Sequence, residues 1–224
     1  TIDDSGLSFR YIWKAKIPHR IKVFLWLLEN NAVLTKDNLI KRNWVGDPSC
    51  YFCSENENLD HLFFLCPIAK VVWGMIAMCL GASNIPGNLL QYKNWIKNWL
   101  PDGQPVYTLC LAGACWTIWK WRNEACFEKK LLRNPSDILV YMCALLTYWP
   151  GLYGSEMQGK ILEGVKILIS CVYKVMPQQR RSPPLLLAET APSQDGDEDL
   201  TEDEAWRMQH RQQKYGHLRC ELVL

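Results

Sequence analysis

Four cysteine and histidine residues in one short segment constrain this chain more than any other feature of its sequence. They are Cys50, Cys53, His61 and Cys66, in the spacing C-x2-C-x7-H-x4-C. Two cysteines separated by two residues can offer both sulfurs to one ion, and the later histidine and cysteine can complete a tetrahedron. Three thiolates and one imidazole form the closed four-coordinate set of a structural zinc site. The spacing therefore predicts one bound zinc ion.

The sequence around these residues also favours a metal. Residues 44–60 lack helical periodicity and contain Gly46, Pro48 and several asparagines, which is typical of a loop. A loop of this kind has little core of its own, so a metal ion would account for its order. Cys66 precedes Pro67, which biases Cys66 toward an extended conformation at the start of the next helix. The alternative is that the thiols are ordinary core residues, because the chain contains ten cysteines.

A zinc ion in this site would be structural. A catalytic zinc keeps a coordination position open for water and usually has a general base nearby. Here protein side chains would fill all four positions. Glu55 and Glu57 lie in the loop, but nothing in the sequence marks either one as a base. We therefore predict no catalytic residue in this segment.

The rest of the chain shows helical periodicity. Ile21, Phe24, Leu25 and Leu28 recur at the spacing of one helical face, after Pro18. No segment alternates convincingly with the period of a strand, so we expect no sheet beyond a short hairpin in the loop. Eleven tryptophans predict a core built largely on aromatic rings. Two further helices have recognisable ends: one is expected from Thr35 as N-cap to near Asn43, and one from Pro67 to a stop at Gly81. Four more are expected over 89–100, 106–127, 136–149 and 157–175.

Composition and charge exclude several protein classes. The 224 residues are 49% hydrophobic and 21% charged, with a mean hydropathy of −0.14, which excludes a wholly disordered chain and a multi-span membrane protein. Residues 1–177 hold 19 Lys+Arg and 14 Asp+Glu, a balance of +5, whereas residues 178–224 hold 6 and 9, a balance of −3. The apolar run over 106–119 is too short for a membrane span, which needs roughly 20 residues.

The cysteines indicate where in the cell the protein is located, and the two ends of the chain indicate how it is organised. Most cysteines outside the loop lie singly in apolar runs, and no secretory signal peptide precedes them. We therefore expect a reducing intracellular location, nuclear or cytoplasmic. The chain starts at Thr1 rather than Met, so we expect a fragment or a processed product. From Pro177 onward, polar and acidic residues predict a disordered tail.

The order of many short motifs resembles a known family. Residues 13–73 are similar to the zinc-binding domain found downstream of the reverse transcriptase in plant LINE-type (non-LTR) retrotransposon polyproteins. A weaker similarity covers the tryptophan-rich stretch from Trp116 to Asn123, with Phe127. Asn58 departs from the family, which often has Thr there. The matching segments are 13–18 (WKAKIP), 21–26 (IKVFLW), 34–39 (LTKDNL), Arg42, Cys50 and Cys53, 60–67 (DHLFFLCP), and Val72-Trp73.

The resemblance implies a small helical unit that binds one zinc ion and helps a polymerase to hold template RNA or target DNA. The residues give some independent support, since cations can pair with phosphates and aromatic rings can stack on bases. The alternative is a solvated basic face around a tryptophan-rich core. The candidate nucleic-acid-binding residues are Lys14, Lys16, Arg20, Lys22, Lys36, Lys41, Arg42 and Tyr51.

Together these observations predict a mostly α-helical protein. It would comprise a small helical zinc-binding module over residues 1–80, a helical region over 81–176 and a disordered acidic tail over 177–224. The expected function is non-catalytic: a zinc module that assists RNA or DNA binding, with the parent reverse transcriptase as a further partner and no membrane or small-molecule substrate. The sequence lacks the catalytic motifs of polymerase, endonuclease and ribonuclease H. The alternatives are a protein–protein interaction module, a non-functional retroelement remnant or, least favoured, an enzyme.

Overall fold

The computed structural model describes residues 9–101, 103–128, 132 and 134–179. Among these residues all regular secondary structure is helical, and the one β-type contact is an isolated antiparallel bridge between Ser49 and Asn56. The prediction of a mostly α protein with no more than a short hairpin in the loop is confirmed. The predicted tail lies outside the described residues, except for its first three positions, which continue the last helix to Gln179.

Eight α-helices and two short turns of other helical types occur along the described part of the chain. The turns are a π-type turn over His61–Leu65 and a 3₁₀ turn over Trp149–Leu152. The helices are α1 (Arg10–Lys14), α2 (His19–Glu29), α3 (Lys36–Ile40), α4 (Pro67–Leu80), α5 (Leu89–Trp99), α6 (Gln104–Phe127), α7 (Pro135–Tyr148) and α8 (Ser155–Gln179).

Proline, glycine and asparagine set several of the helix ends. Helix α4 begins at Pro67, whose missing N–H needs no partner in the first turn, and ends before Gly81, which has a left-handed φ of 68°. Helices α5 and α7 begin after Asn88 and Asn134, whose side chains accept hydrogen bonds from backbone N–H groups of the first turn. These short-range signals explain why most helix positions were predictable.

Three local features differ from the sequence-based expectation. Helix α3 ends at Ile40 rather than near Asn43, and Asn43 takes a positive φ of 63°. Thr35 does precede α3, but its hydroxyl donates to the Asp37 carboxylate instead of capping a backbone N–H. Helix α1 was not predicted, because its five residues are too few to show a periodic pattern.

The core is built on aromatic rings, as predicted. Trp73 of α4 is completely buried, stacks on Phe64 at a centroid distance of 5.5 Å, and donates from Nε1 to the Phe63 carbonyl at 2.7 Å. Phe24 of α2 packs edge-on against Trp116 of α6 at 5.3 Å. Helices from residues 1–80 and from residues 81–176 thus share one core, and the division into two domains at residue 80 stays a prediction.

No helix among the described residues combines the length and the apolar character that crossing a bilayer requires.

Trp73→Ala is expected to destabilise the protein by about 3–5 kcal/mol, because it removes a buried indole and leaves a cavity. The free energy of unfolding from urea titration measures this loss. Tyr148→Ala is the control: Tyr148 is 81% exposed, so its truncation should cost less than about 0.5 kcal/mol. Equal effects of the two substitutions would contradict a core centred on Trp73.

Candidate metal centre

The structure brings the four predicted ligands together. One ligand atom from each of Cys50, Cys53, His61 and Cys66 lies within 4.8 Å of the other three. The Sγ atoms of Cys50 and Cys66 are 4.0 Å apart, and Cys53 Sγ is 3.2 Å from His61 Nε2. The four donors therefore surround a common point.

These separations fit a zinc ion. A tetrahedral zinc with Zn–S bonds of about 2.3 Å and a Zn–N bond of about 2.0 Å places its donors roughly 3.5–3.8 Å apart. The two measured separations lie on either side of this range, so small side-chain adjustments would place all four donors around one ion. Thiolate and imidazole donors are also the set that structural zinc prefers. A single zinc ion therefore fits these residues.

Cys50 and Cys53 lie on a hairpin-like segment, residues 48–57, which we name the zinc loop. The Cys50 N–H donates to the Glu55 carbonyl at 2.8 Å, and the Glu57 N–H donates to the Pro48 carbonyl at 2.9 Å. Inside the loop, the Cys53 N–H donates to the Cys50 carbonyl at 3.3 Å. This last bond closes the turn of the Cys-x-x-Cys knuckle, so that both sulfurs face one side.

His61 and Cys66 lie at the two ends of the π-type turn. The Cys66 N–H donates to the His61 carbonyl at 2.7 Å, and the Asn58 side chain accepts from the His61 N–H at 2.8 Å. Cys66 then takes an extended conformation, with φ −56° and ψ 141°, before Pro67 starts α4. The predicted extended conformation of Cys66 is confirmed, whereas the π-type turn was not predicted.

Without a cation, Cys50, Cys53 and His61 favour their neutral forms. The hydrogen bond to Cys66, followed by burial, raises the pKa of the Cys50 thiol, and burial also raises the pKa of Cys53. Burial lowers the pKa of His61, which leaves the imidazole neutral and able to donate a lone pair. A divalent ion reverses the preference of the thiols, because a bound thiol loses its proton. The cluster is thus suited to a cation rather than to acid–base chemistry.

A buried ion pair adjoins the zinc loop. The Glu57 carboxylate accepts hydrogen bonds from Arg122 Nη2 at 2.6 Å and Nε at 3.1 Å, and from the Lys36 N–H at 3.0 Å. Both charged side chains are almost completely buried. Sequence analysis missed this pair because its members are 65 positions apart, and no local pattern links them.

The eight candidate nucleic-acid-binding residues differ in exposure. Lys14 and Lys16, near the end of α1, and Lys41 and Arg42, after α3, are exposed. Arg20 and Lys22 on α2 are half-buried, Tyr51 in the zinc loop is exposed, and Lys36 is buried. They therefore occur as one group around α1 and α2 and another group around α3 and the zinc loop.

Lys36 is held inside the protein. Its ammonium group donates to the Ser49 carbonyl and lies 4.6 Å from the centroid of the Tyr51 ring. Lys41, by contrast, is exposed and pairs with Asp37 at 3.1 Å. The position of Lys36 fits a structural role in supporting the zinc loop.

Cys53→Ser is expected to reduce bound zinc from one ion per chain to well below one, because a neutral hydroxyl is a poor replacement for a thiolate. Loss of zinc should lower the thermal midpoint by at least roughly 5 °C. Metal analysis of the purified chain and a thermal melt give the two measurements. Cys171→Ser on α8, outside the cluster, should retain one zinc. Full zinc content in Cys53→Ser would exclude Cys53 as a ligand.

Comparison with known proteins supports this metal centre. Residues 4–73 match the family model described as zinc-binding in reverse transcriptase. A protein of Arabidopsis thaliana named "Putative ribonuclease H protein" is 27% identical over 125 residues. The alignment covers 51% of this chain and 19% of the relative, so the chain spans about one fifth of that relative's length. No solved structure matches. Residues 4–73 are therefore similar to the zinc-binding domain of reverse transcriptases.

Proposed function

We propose that this chain is a non-catalytic structural-zinc module, derived from a retrotransposon reverse transcriptase polyprotein, that helps to hold RNA or DNA. The family match and the zinc-binding cluster support the module itself. The nucleic-acid function rests on one observation, an exposed aromatic and basic surface formed by α1 and α2. We name it the α2 surface and define it by Trp13, His19, Lys22 and Trp26.

Helix α2 has two distinct faces. Its inward face carries the predicted apolar stripe, including Ile21 and Phe24, all of it buried. The α2 surface lies on the other face, where His19, Lys22 and Trp26 recur at helical spacing. Trp26 is 40% exposed even though it is a large aromatic residue. Trp13 of α1, 45% exposed, extends this surface, with its ring centroid 6.0 Å from that of His19.

The spacing of the aromatic side chains fits a single strand of nucleic acid. His19 and Trp26 are seven positions apart, which corresponds to about 10 Å along an α-helix. Trp13 lies beside His19, and Lys22 links the two helices by donating from Nζ to the Trp13 carbonyl at 2.9 Å. Two aromatic groups at this separation can stack on bases a few nucleotides apart, and such stacking does not depend on the base sequence.

The charge of this region also favours a polyanion. Residues 9–28 contain five Lys or Arg and no Asp or Glu. The next residue, Glu29, pairs with Lys93 of α5 at 2.8 Å, which neutralises it. Lys14 and Lys16 flank the aromatic residues and are exposed to approaching phosphates, and Lys16 Nζ also lies 5.7 Å from the centroid of the Tyr153 ring. Lys41, Arg42 and Tyr51 of the zinc loop form a second candidate contact region. Lys36 is buried, so it is not part of this region.

The absence of catalysis is part of the proposal. The four protein ligands would fill the coordination sphere of zinc and leave no position for a reactive water. Glu57, an acidic residue of the zinc loop, is bound to Arg122 and to the Lys36 N–H, so it is not available as a general base. No two of the nine cysteines that the structure describes form a disulfide, which supports the proposed nuclear or cytoplasmic location.

Trp26→Ala is expected to weaken binding to single-stranded RNA by about 1–3 kcal/mol, because one stacking surface is lost. Fluorescence anisotropy with labelled single-stranded RNA and DNA of the same sequence measures the effect and shows which nucleic acid is preferred. Tyr148→Ala, which removes an exposed aromatic ring from α7, should bind like the unmodified chain. If no binding is detected even at low salt, the protein–protein interaction alternative is favoured.

Lys14→Gln is expected to reduce the dependence of RNA affinity on salt, because one phosphate contact releases about one counterion. The slope of log affinity against log salt concentration should fall by about 1. Lys97→Gln on α5 removes an exposed positive charge far from α1 in the sequence and should leave the slope nearly unchanged. Equal slopes for all three proteins would argue against phosphate contacts at α1.

A further inference from the structure

We propose that Arg122 is a positioning residue for the zinc centre: through Glu57 it holds the zinc loop in the conformation that binds the metal. Arg122 lies on α6, outside residues 4–73, which match the zinc-binding family. The proposal depends on the zinc centre and not on nucleic-acid binding. Its consequence is that the zinc-binding unit of this chain extends beyond the family match and includes α6.

Glu57 fixes the zinc loop from both its backbone and its side chain. The Glu57 N–H closes the loop on the Pro48 carbonyl, and the Glu57 carbonyl accepts from the Asp37 N–H at 3.2 Å. The carboxylate accepts two hydrogen bonds from Arg122 and one from the Lys36 N–H. Glu57 thus connects the segment that carries Cys50 and Cys53 to two helices, α3 and α6.

Helix α6 covers the module along one face. Trp119 packs near Phe24 and Phe63, with ring centroids 6.3 Å and 6.4 Å apart. Arg122 comes three positions later, and its guanidinium lies 5.1 Å from the centroid of the Trp119 ring. Four positions further on lies Cys126, and burial together with this thiol raises the pKa of the Tyr51 hydroxyl in the zinc loop. Successive turns of α6 therefore contact α2, the π-type turn and the zinc loop.

The charges explain why an arginine is needed. Three thiolates and one Zn²⁺ carry a net charge of about −1, and Glu57 adds a second negative charge in the same loop. Glu57 is buried, so water cannot screen it, and an unpaired buried carboxylate is strongly unfavourable. Arg122 supplies the compensating positive charge, and its planar guanidinium can donate two hydrogen bonds to the same carboxylate. A zinc loop without Arg122 would have to move Glu57 toward water, which would displace the segment that carries Cys50 and Cys53.

The test is the zinc affinity of the full chain, measured by competition with a chromophoric chelator. Arg122→Gln removes the charge and is expected to weaken zinc binding by about 10- to 100-fold, the range seen when partners of metal ligands are removed. Arg122→Lys keeps the charge but not the paired donors. Its zinc affinity should lie between those of the unmodified chain and Arg122→Gln. Lys93→Gln breaks another interhelical ion pair, to Glu29 outside the zinc loop, and should leave zinc affinity within twofold.

A double variant separates positioning from general destabilisation. Glu57→Gln combined with Arg122→Gln removes both charges and keeps an amide oxygen at position 57 to accept from the Lys36 N–H. We expect it to bind zinc more tightly than Arg122→Gln alone, because no unpaired carboxylate remains. Cobalt substituted for zinc gives a second readout, since its visible absorption reports tetrahedral sulfur coordination, which should be distorted in Arg122→Gln and recovered in the double variant.

Two results would overturn the proposal. One is zinc affinity within twofold of the unmodified chain in a folded Arg122→Gln protein. The other is a double variant that binds zinc as weakly as Arg122→Gln or more weakly, which would assign the loss to packing alone. If Arg122→Gln does not fold, the proposal is tested with Arg122→Lys and the double variant instead. The proposal requires both of these proteins to bind zinc. Loss of zinc binding in both would contradict it.

Discussion

The N-terminal half of this protein depends on the convergence of three thiols and one imidazole. His61 and Cys66 bound a turn whose apolar side chains are buried in the core, but Cys50 and Cys53 come from a polar loop that has little apolar surface to bury. A hydrophobic core cannot order such a segment, but a metal–ligand cluster can, because its bonds replace many weak contacts. The zinc site therefore orders the loop, just as the packed rings of Phe24, Trp73 and Trp116 hold the helices together.

The aromatic core and the metal centre are physically continuous. Phe63 and Phe64 lie inside the turn that joins His61 to Cys66, and both rings belong to the buried core. The indole of Trp73 donates to the Phe63 carbonyl, so α4 is tied to the middle of that turn. Because core and metal share this turn, a change in either one is transmitted to the other.

Sequence reasoning succeeded where the signal was local. Proline at position 67, glycine at position 81 and the apolar spacing on α2 determine helix limits over a few residues, and the ligand spacing identified a set of side chains that do converge. It missed contacts that are distant along the chain. The Glu57–Arg122 pair depends on how α6 packs against the zinc loop, and the burial of Lys36 depends on how that loop packs against α3. Neither Glu57 nor Lys36 differs in sequence from an ordinary exposed charge.

The π-type turn sets a strict distance along the chain between two of the ligands. Its hydrogen bond joins the first and last positions of H-x4-C, one residue more than an α-helical turn would use. Loss or gain of one residue there would rotate Cys66 by roughly 100° about the axis of the turn and carry its sulfur away from the other donors. Insertions and deletions should therefore be far less tolerated between His61 and Cys66 than amino-acid replacements, and the length of this turn is a better marker of a functional copy than its composition.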